Sequence, residues 1–424
     1  MPAAARRRPP LALPAVVSLL AVGCSGSQTG SAGNPTPTPD APVASPAASP
    51  TGPPPVPPDS PTASPTAAAT AAPTAAAAAP PAGSPGSSPA VAPGVDLVPG
   101  RVTEITRDLD VPWGLTFLPD GSALVAERDS GRIVHVPAAG GPATPVGSVP
   151  GVAADGEGGL LGLAASPRFA TDRTVYAYLT AASENRVVAL RVAEDLHSLQ
   201  QERVVLGGIA KAPVHNGGRL RFGPDGNLYI GTGDASDRAN SPNETSLNGK
   251  VLRIRPDGSV PAGNPGGTPV FTRGHRNVQG LTFGPDGTAY AAEFGQNTWD
   301  ELNVLRAGTD YGWPTAEGPD GNGGSRPLFW FATDQASPSG IAWAGNAVWM
   351  AGLRGERLWR LPVAGGKRTG DPVAYLDGRY GRLRTVERAP DDSLWVTTSN
   401  TDGRGDARAG DDRILRVELV PAAS

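Results

Sequence analysis

The sequence predicts an all-β domain built as a six-bladed β-propeller. Three observations lead there. A phrase of apolar residues, Pro-Asp-Gly and an alternating strand recurs along the chain, a second short strand follows each copy, and the copies lie at blade-sized intervals. The phrase is complete at residues 115–127, 220–231 and 281–293, and degenerate copies begin at Leu163, Ile341 and Val386. The turn positions Pro119, Pro167, Pro224, Pro285, Ala344 and Pro390 are 48, 57, 61, 59 and 46 residues apart, which makes six units.

Each element has a local cause. Proline fixes the backbone at the second turn position and glycine takes the left-handed conformation. The residues that follow alternate or run apolar over a few positions, a strand pattern rather than a helical one. Partner strands are predicted at 131–136, 186–192, 250–255, 301–305, 357–361 and 413–417. Units of this size hide their edges by closing radially, whereas a β-sandwich has no need of such a period.

The first hundred residues have a different composition. They hold 24 of the 47 prolines, and no Phe, Tyr or Trp precedes Trp113. Between Ser25 and Gly94 the only charged residues are Asp40 and Asp59, so this stretch cannot bury enough apolar surface to offset the entropy of ordering it. Arg6, Arg7 and Arg8 form a basic start, and Leu11 to Leu20 an apolar run too short to span a bilayer. The only cysteine, Cys24, ends Leu20-Ala-Val-Gly-Cys24, which resembles a bacterial lipobox and implies lipidation. The expected organisation is therefore a lipoprotein signal over 1–24, a disordered Pro/Ala/Ser/Thr-rich tether over 25–94, and the propeller over 95–424. As a flexible coil the tether would span on the order of 50 Å. The chain is expected outside the cytoplasm, held to the outer face of the bacterial membrane by lipid alone. The folded part carries a net charge of −5 without a basic block, which argues against a nucleic-acid partner. It contains no 18-residue apolar run, which excludes a transmembrane bundle.

Four segments between the strands carry chemistry: His215 with Arg219, the run from Arg273 to Gly280, the run from Glu293 to Glu301, and Arg379 to Arg384. They offer a histidine as base, guanidinium groups for carboxylates or phosphates, and an acidic loop for a hard cation. No Walker A motif, nucleophile elbow, His-Glu-x-x-His pair or zinc-binding cysteine set is present. The residues alone leave open an enzyme, an exported propeller that binds sugar or a partner protein, and a calcium-dependent lactonase-type hydrolase.

The ordered set Asp155-Gly-Glu-Gly-Gly-Leu-Leu-Gly162, His215-Asn-Gly-Gly-Arg-Leu, Asn248-Gly-Lys-Val-Leu-Arg253, Gly274-His-Arg-Asn-Val-Gln-Gly280 and Asp310-Tyr-Gly-Trp-Pro314 resembles the glucose/sorbosone dehydrogenase family. The resemblance implies a propeller holding pyrroloquinoline quinone (PQQ) and calcium, oxidising the anomeric carbon of aldose sugars to lactones and passing electrons to an unknown acceptor. It implies His215 and Arg276 as catalytic residues, with His215 the general base. Glu157, His215, Arg276, Asn277, Arg354, Arg382 and Arg384 would surround PQQ, a tricarboxylate. Gly295 and Gln296 would hold the catalytic calcium, and Glu301 and Tyr311 a second one. Val214 stands where the glucose enzyme has an acidic residue orienting the base, Glu157 where it has glutamine, and Arg354 where it has lysine. Short loops in place of that enzyme's long inserts point to the aldose sugar dehydrogenase branch. Cys24→Ala is expected to move the chain from the membrane to the soluble fraction, and persistence in the membrane fraction would dispose of the lipid anchor.

Overall fold

The computed structural model describes residues 94–319 and 324–423, so the signal, Cys24 and nearly all of the expected tether lie outside the described residues. Six antiparallel sheets follow one another, over residues 112–148, 160–209, 220–273, 278–332, 338–375 and 383–421, and these are blades 1 to 6. Each Pro-Asp-Gly turn joins the first and second strands of a blade. The Gly121, Gly226 and Gly287 amides donate to the carbonyls of Leu118, Gly223 and Gly284, at 3.0 Å each. Strands lie where the partner strands were predicted, among them Arg132–Val136, Lys250–Ile254 and Ile414–Pro421.

Blade 6 has a feature the repeat pattern did not announce. Its outer strand is Leu97–Thr106, paired antiparallel with Ile414–Pro421 at the far end of the chain. The ring is closed by joining the first described strand to the last, which covers the edge of Ile414–Pro421 and makes Leu97–Thr106 the outer strand of blade 6.

The core is divided as a ring requires. Six clusters of buried apolar side chains each lie between two neighbouring blades, for example Ile133 and Leu160 between blades 1 and 2, or Tyr290 and Trp359 between blades 4 and 5. The sixth, with Leu115 and Trp395, joins blade 6 back to blade 1. Each fully buried large side chain contributes about 1.5–3 kcal/mol.

The first strands of the blades face one another around the axis. In blades 1, 2, 4, 5 and 6 the pairing of that strand with the second slips in register near its start, after Pro112, Leu160, Val278, Pro338 and Leu383. Such bulges re-aim side chains, and Trp113, Gln279, Ser339 and Arg384 lie within them. The convergence is close enough to need glycine. A Cβ on Gly162 would lie 2.2 Å from the Gly218 carbonyl oxygen, and one on Gly280 would lie 2.4 Å from that of Ser339. Gly280→Ala is therefore expected to cost about 1–3 kcal/mol in urea unfolding through overpacking against backbone; an unchanged midpoint would mean that the ring dilates freely.

Candidate active site

The bulged strands and the loops at the same end of the ring enclose an axial cavity of about 300 Å³. Its walls include Trp113, Gln279 and Phe294, and its charged lining is uneven. Arg128, Arg354, Arg382, Arg384 and Arg404 face only two carboxylates, Glu157 and Asp402. Arg128 is paired with Asp129 at 2.5 Å, so two positive charges are left in excess, a donor set suited to an anion with several carboxylates.

Asp402 organises the arginine pair. One oxygen, Oδ2, accepts from Arg382 Nη2 at 2.9 Å, Arg384 Nη2 at 3.1 Å and Ser399 Oγ at 3.2 Å. The other accepts from the Arg404 amide at 2.9 Å, and Arg404 reaches across to Glu157 at 2.8 Å. Burial pushes the Asp402 carboxyl up, but Arg384 and Arg382 outweigh it and hold it below the ordinary carboxylate range. Burial lowers the Arg384 guanidinium to about 10, with Asp402 opposing the shift. Arg354 projects into the cavity without a hydrogen-bond or ion-pair partner among the described residues.

His215 adjoins this cavity through Glu157, whose Oε2 accepts from the His215 amide at 3.1 Å. The imidazole is held from the other side: Nδ1 lies 2.8 Å from Asp234 Oδ1, while Asp234 Oδ2 accepts from Trp313 Nε1 at 2.9 Å. Burial raises the Asp234 carboxyl, but hydrogen bonds from His215, Trp313 and Ser236 more than compensate and keep it below its ordinary value. An ionised carboxylate only accepts, so Nδ1 carries the proton in the neutral ring and Nε2 is left as a base. Val214 stands where the glucose enzyme has an acidic residue orienting the base, and in this chain Asp234 meets the imidazole from the next loop. Asn277 is buried beside the base, with its Oδ1 accepting from the Gly217 amide at 2.9 Å.

The remaining predicted residues gather next door, around a pocket of about 10 Å³ lined by Arg276, Glu293, Gly295, Glu301, Tyr311 and Glu317, with Phe294 shared between the two spaces. Arg276 Nε donates to Gln296 Oε1 at 3.1 Å, and its guanidinium lies 5.6 Å from the Trp313 ring centroid. The main-chain carbonyls of Gly295 and Gln296 accept no hydrogen bond from the described residues, so both are available as oxygen donors. Burial, with repulsion from Glu293, pushes Glu301 up to about 8. The Tyr311 hydroxyl is committed, donating to the Val304 carbonyl at 2.5 Å and accepting from the Arg306 amide at 3.0 Å, which leaves only its main chain for a cation. Among the described residues no group of three His, Cys, Asp or Glu side chains is placed to hold a metal. A calcium here would depend on carbonyl oxygens.

Reasoning from sequence missed Asp234, Asp402 and Arg404. Each of the two acids follows the second strand of a blade whose first strand begins beside a predicted residue. In an antiparallel pair those two ends are adjacent, and that was the available signal.

A propeller with a cationic axial cavity beside a carboxylate-held histidine has the parts to hold a polar anion and accept a proton. The chain belongs to the glucose/sorbosone dehydrogenase family, whose model matches residues 109–415. It is 29% identical to the aldose sugar dehydrogenase YliI of Escherichia coli K12 over 337 residues, 71% of this chain and 90% of that protein. To the quinoprotein glucose dehydrogenase B of Acinetobacter calcoaceticus it is 32% identical over 249 residues, about half of each chain (50% and 52%). The structure of the PQQ-bound form of the aldose sugar dehydrogenase from Streptomyces coelicolor matches with a TM-score of 0.75 at 51% identity, covering 78% of this chain and 100% of that one.

Asp402→Asn is expected to destabilise the fold by about 3–5 kcal/mol at pH 7, because it strands two buried guanidiniums. A carboxyl held below its ordinary value stabilises above about pH 4 and loses that contribution as pH falls through the depressed folded value. The gap between variant and parent in urea unfolding should therefore narrow in acid; a gap independent of pH would show that the ion pairs are not its source.

Proposed function

We propose that this chain is a PQQ- and calcium-dependent dehydrogenase that oxidises the anomeric carbon of aldose sugars to lactones. The observation that carries the proposal is the cavity with two unbalanced guanidinium charges beside a histidine whose Nε2 is free to take a proton. PQQ is an anion of three carboxylates, and the donor chemistry of Arg354, Arg382 and Arg384 fits it. The PQQ-bound relative from Streptomyces coelicolor supports the same ligand. Calcium fits the carbonyls of Gly295 and Gln296, hard oxygen donors beside an acidic loop. Glu301 and the Tyr311 main chain fit a second calcium.

The protein's own part in the reaction is positioning and proton transfer. Arg354, Arg382 and Arg384 bind carboxylates, while Trp113 and Phe294 present apolar faces to the rest of the cavity. Trp313 fixes Asp234, Asp234 fixes the tautomer and orientation of His215, and His215 Nε2 takes the proton from the anomeric hydroxyl. Arg276, beside the cation-holding carbonyls, stabilises negative charge developing at that end of the cavity. When bound, PQQ would supply a hydride acceptor, and calcium held by the Gly295 and Gln296 carbonyls would supply a Lewis acid beside it. The sugar loses one proton and one hydride, and its anomeric C–OH becomes the lactone C=O. We place this chemistry outside the cytoplasm, on a chain held to the membrane through Cys24, with electrons leaving to an acceptor outside the protein.

Titration of the full chain with PQQ and calcium is expected to saturate at one PQQ per chain, and the loaded protein to reduce an artificial dye when given aldoses. His215→Ala should lose about 10²–10⁴ in kcat while binding PQQ as before. Asp234→Asn, which disfavours the tautomer with a basic Nε2, should lower kcat by about a hundredfold or more with little change in PQQ affinity. Failure of the parent chain to bind PQQ would sink the redox reading in favour of a binding platform.

A further inference from the structure

One charged group near the cavity has no part in the chemistry above. Arg219 is 3% exposed and sits on the axis below the cavity floor. Its Nε donates to the Gln279 carbonyl at 2.7 Å and its Nη2 to Thr385 Oγ1 at 3.1 Å. Its guanidinium carbon lies 4.3 Å from the Trp113 ring centroid. All three partners are neutral. Trp113, Gln279 and Arg384 line the cavity above, while Leu220 and Arg221, the next residues in the chain, line a separate space of about 240 Å³ on the far side. Arg219 is thus the partition between the two.

No carboxylate contacts this guanidinium among the described residues. Glu387, whose field reaches it, is paired with Arg221, and Asp402 is taken by Arg382 and Arg384. Arg384 brings a second positive charge to within 5.8 Å of the same indole. Burial pushes the Arg219 guanidinium down to about 9, with Glu387 opposing and Arg384 and Arg221 adding to the shift. A buried cation without a counter-ion is costly to the folded chain, and in a medium of low dielectric its field reaches well beyond contact distance.

We infer that Arg219 is a specificity-determining residue for an anionic cofactor: its charge, acting through the Trp113 floor, attracts a polycarboxylate into the cavity, and that anion supplies the counter-charge the apo-protein lacks. The inference rests on the PQQ reading given above. It separates charge from shape, because the stacking and the two hydrogen bonds belong to the architecture whereas the field belongs to the ligand.

Three variants of the full chain test it, with affinity read by titrating PQQ in the presence of calcium and folding read by thermal unfolding without PQQ. Arg219→Gln and Arg219→Met are expected to weaken PQQ binding by about tenfold or more, while Arg219→Lys stays within about threefold of the parent. The apo-protein of the Met variant should unfold no earlier than the parent, since it has shed an uncompensated charge. Parent-like affinity in the Gln variant, or a Lys variant as weak as Gln, would overturn the inference and leave Arg219 a packing residue. If the Met variant does not fold, the Gln and Lys pair still decides. A parent chain that takes up no PQQ would sink the functional reading and this inference with it, whereas a parent that binds beside a Gln variant that binds equally well would sink the inference alone.

Discussion

Six strands can meet around one axis only if their backbones approach more closely than side chains normally allow. Glycines such as Gly162 and Gly280 meet that requirement, since any Cβ there would overlap a neighbouring carbonyl. The inner strands also slip register near their starts, which turns Gln279 and Arg384 toward the axis. The cavity is therefore a consequence of how the ring is closed at its centre, and loops are recruited to it rather than creating it. This explains why the site combines rigid strand residues with loop carboxylates.

Two of those carboxylates divide the electrostatic labour. Asp402 is surrounded by guanidinium groups and fixes where positive charge points, whereas Asp234 is surrounded by an imidazole, an indole and an amide and fixes where a lone pair points. Both are held below the ordinary carboxylate range, for different reasons: cationic neighbours for Asp402, hydrogen bonds for Asp234. A cationic surface and an imidazole with an uncommitted Nε2 are thereby built a short distance apart without cancelling each other. Glu157 links them, accepting from the His215 amide with one oxygen and pairing with Arg404 through the other.

What could be read in the sequence follows the same division. The Pro-Asp-Gly turns and their strands were legible because their causes are local, and His215, Arg276, Arg382 and Arg384 stood in dense polar runs at strand starts. Leu97–Thr106 was not, because it carries no turn phrase and its partner lies some three hundred residues away. Asp234 and Asp402 were not, because each sits in a loop of Gly, Ser, Asp and Arg that reads as an ordinary turn. Only the antiparallel pairing brings each acid beside its base or its arginines. The absence of an acid at Val214 was visible; its replacement from the neighbouring loop was a fact of three dimensions.

The pairing of Leu97–Thr106 with Ile414–Pro421 also sets an order of events. Domains generally fold as units, and here the first strand among the described residues has no partner until the last one is in place. Trp113 belongs to the first blade and Arg384 to the last, so the two walls they supply face each other only where the ring is closed. The cavity is thus complete only when the first and last blades have met. A chain cut short near its C-terminus would lack both the seal of the ring and any place for a ligand to lodge.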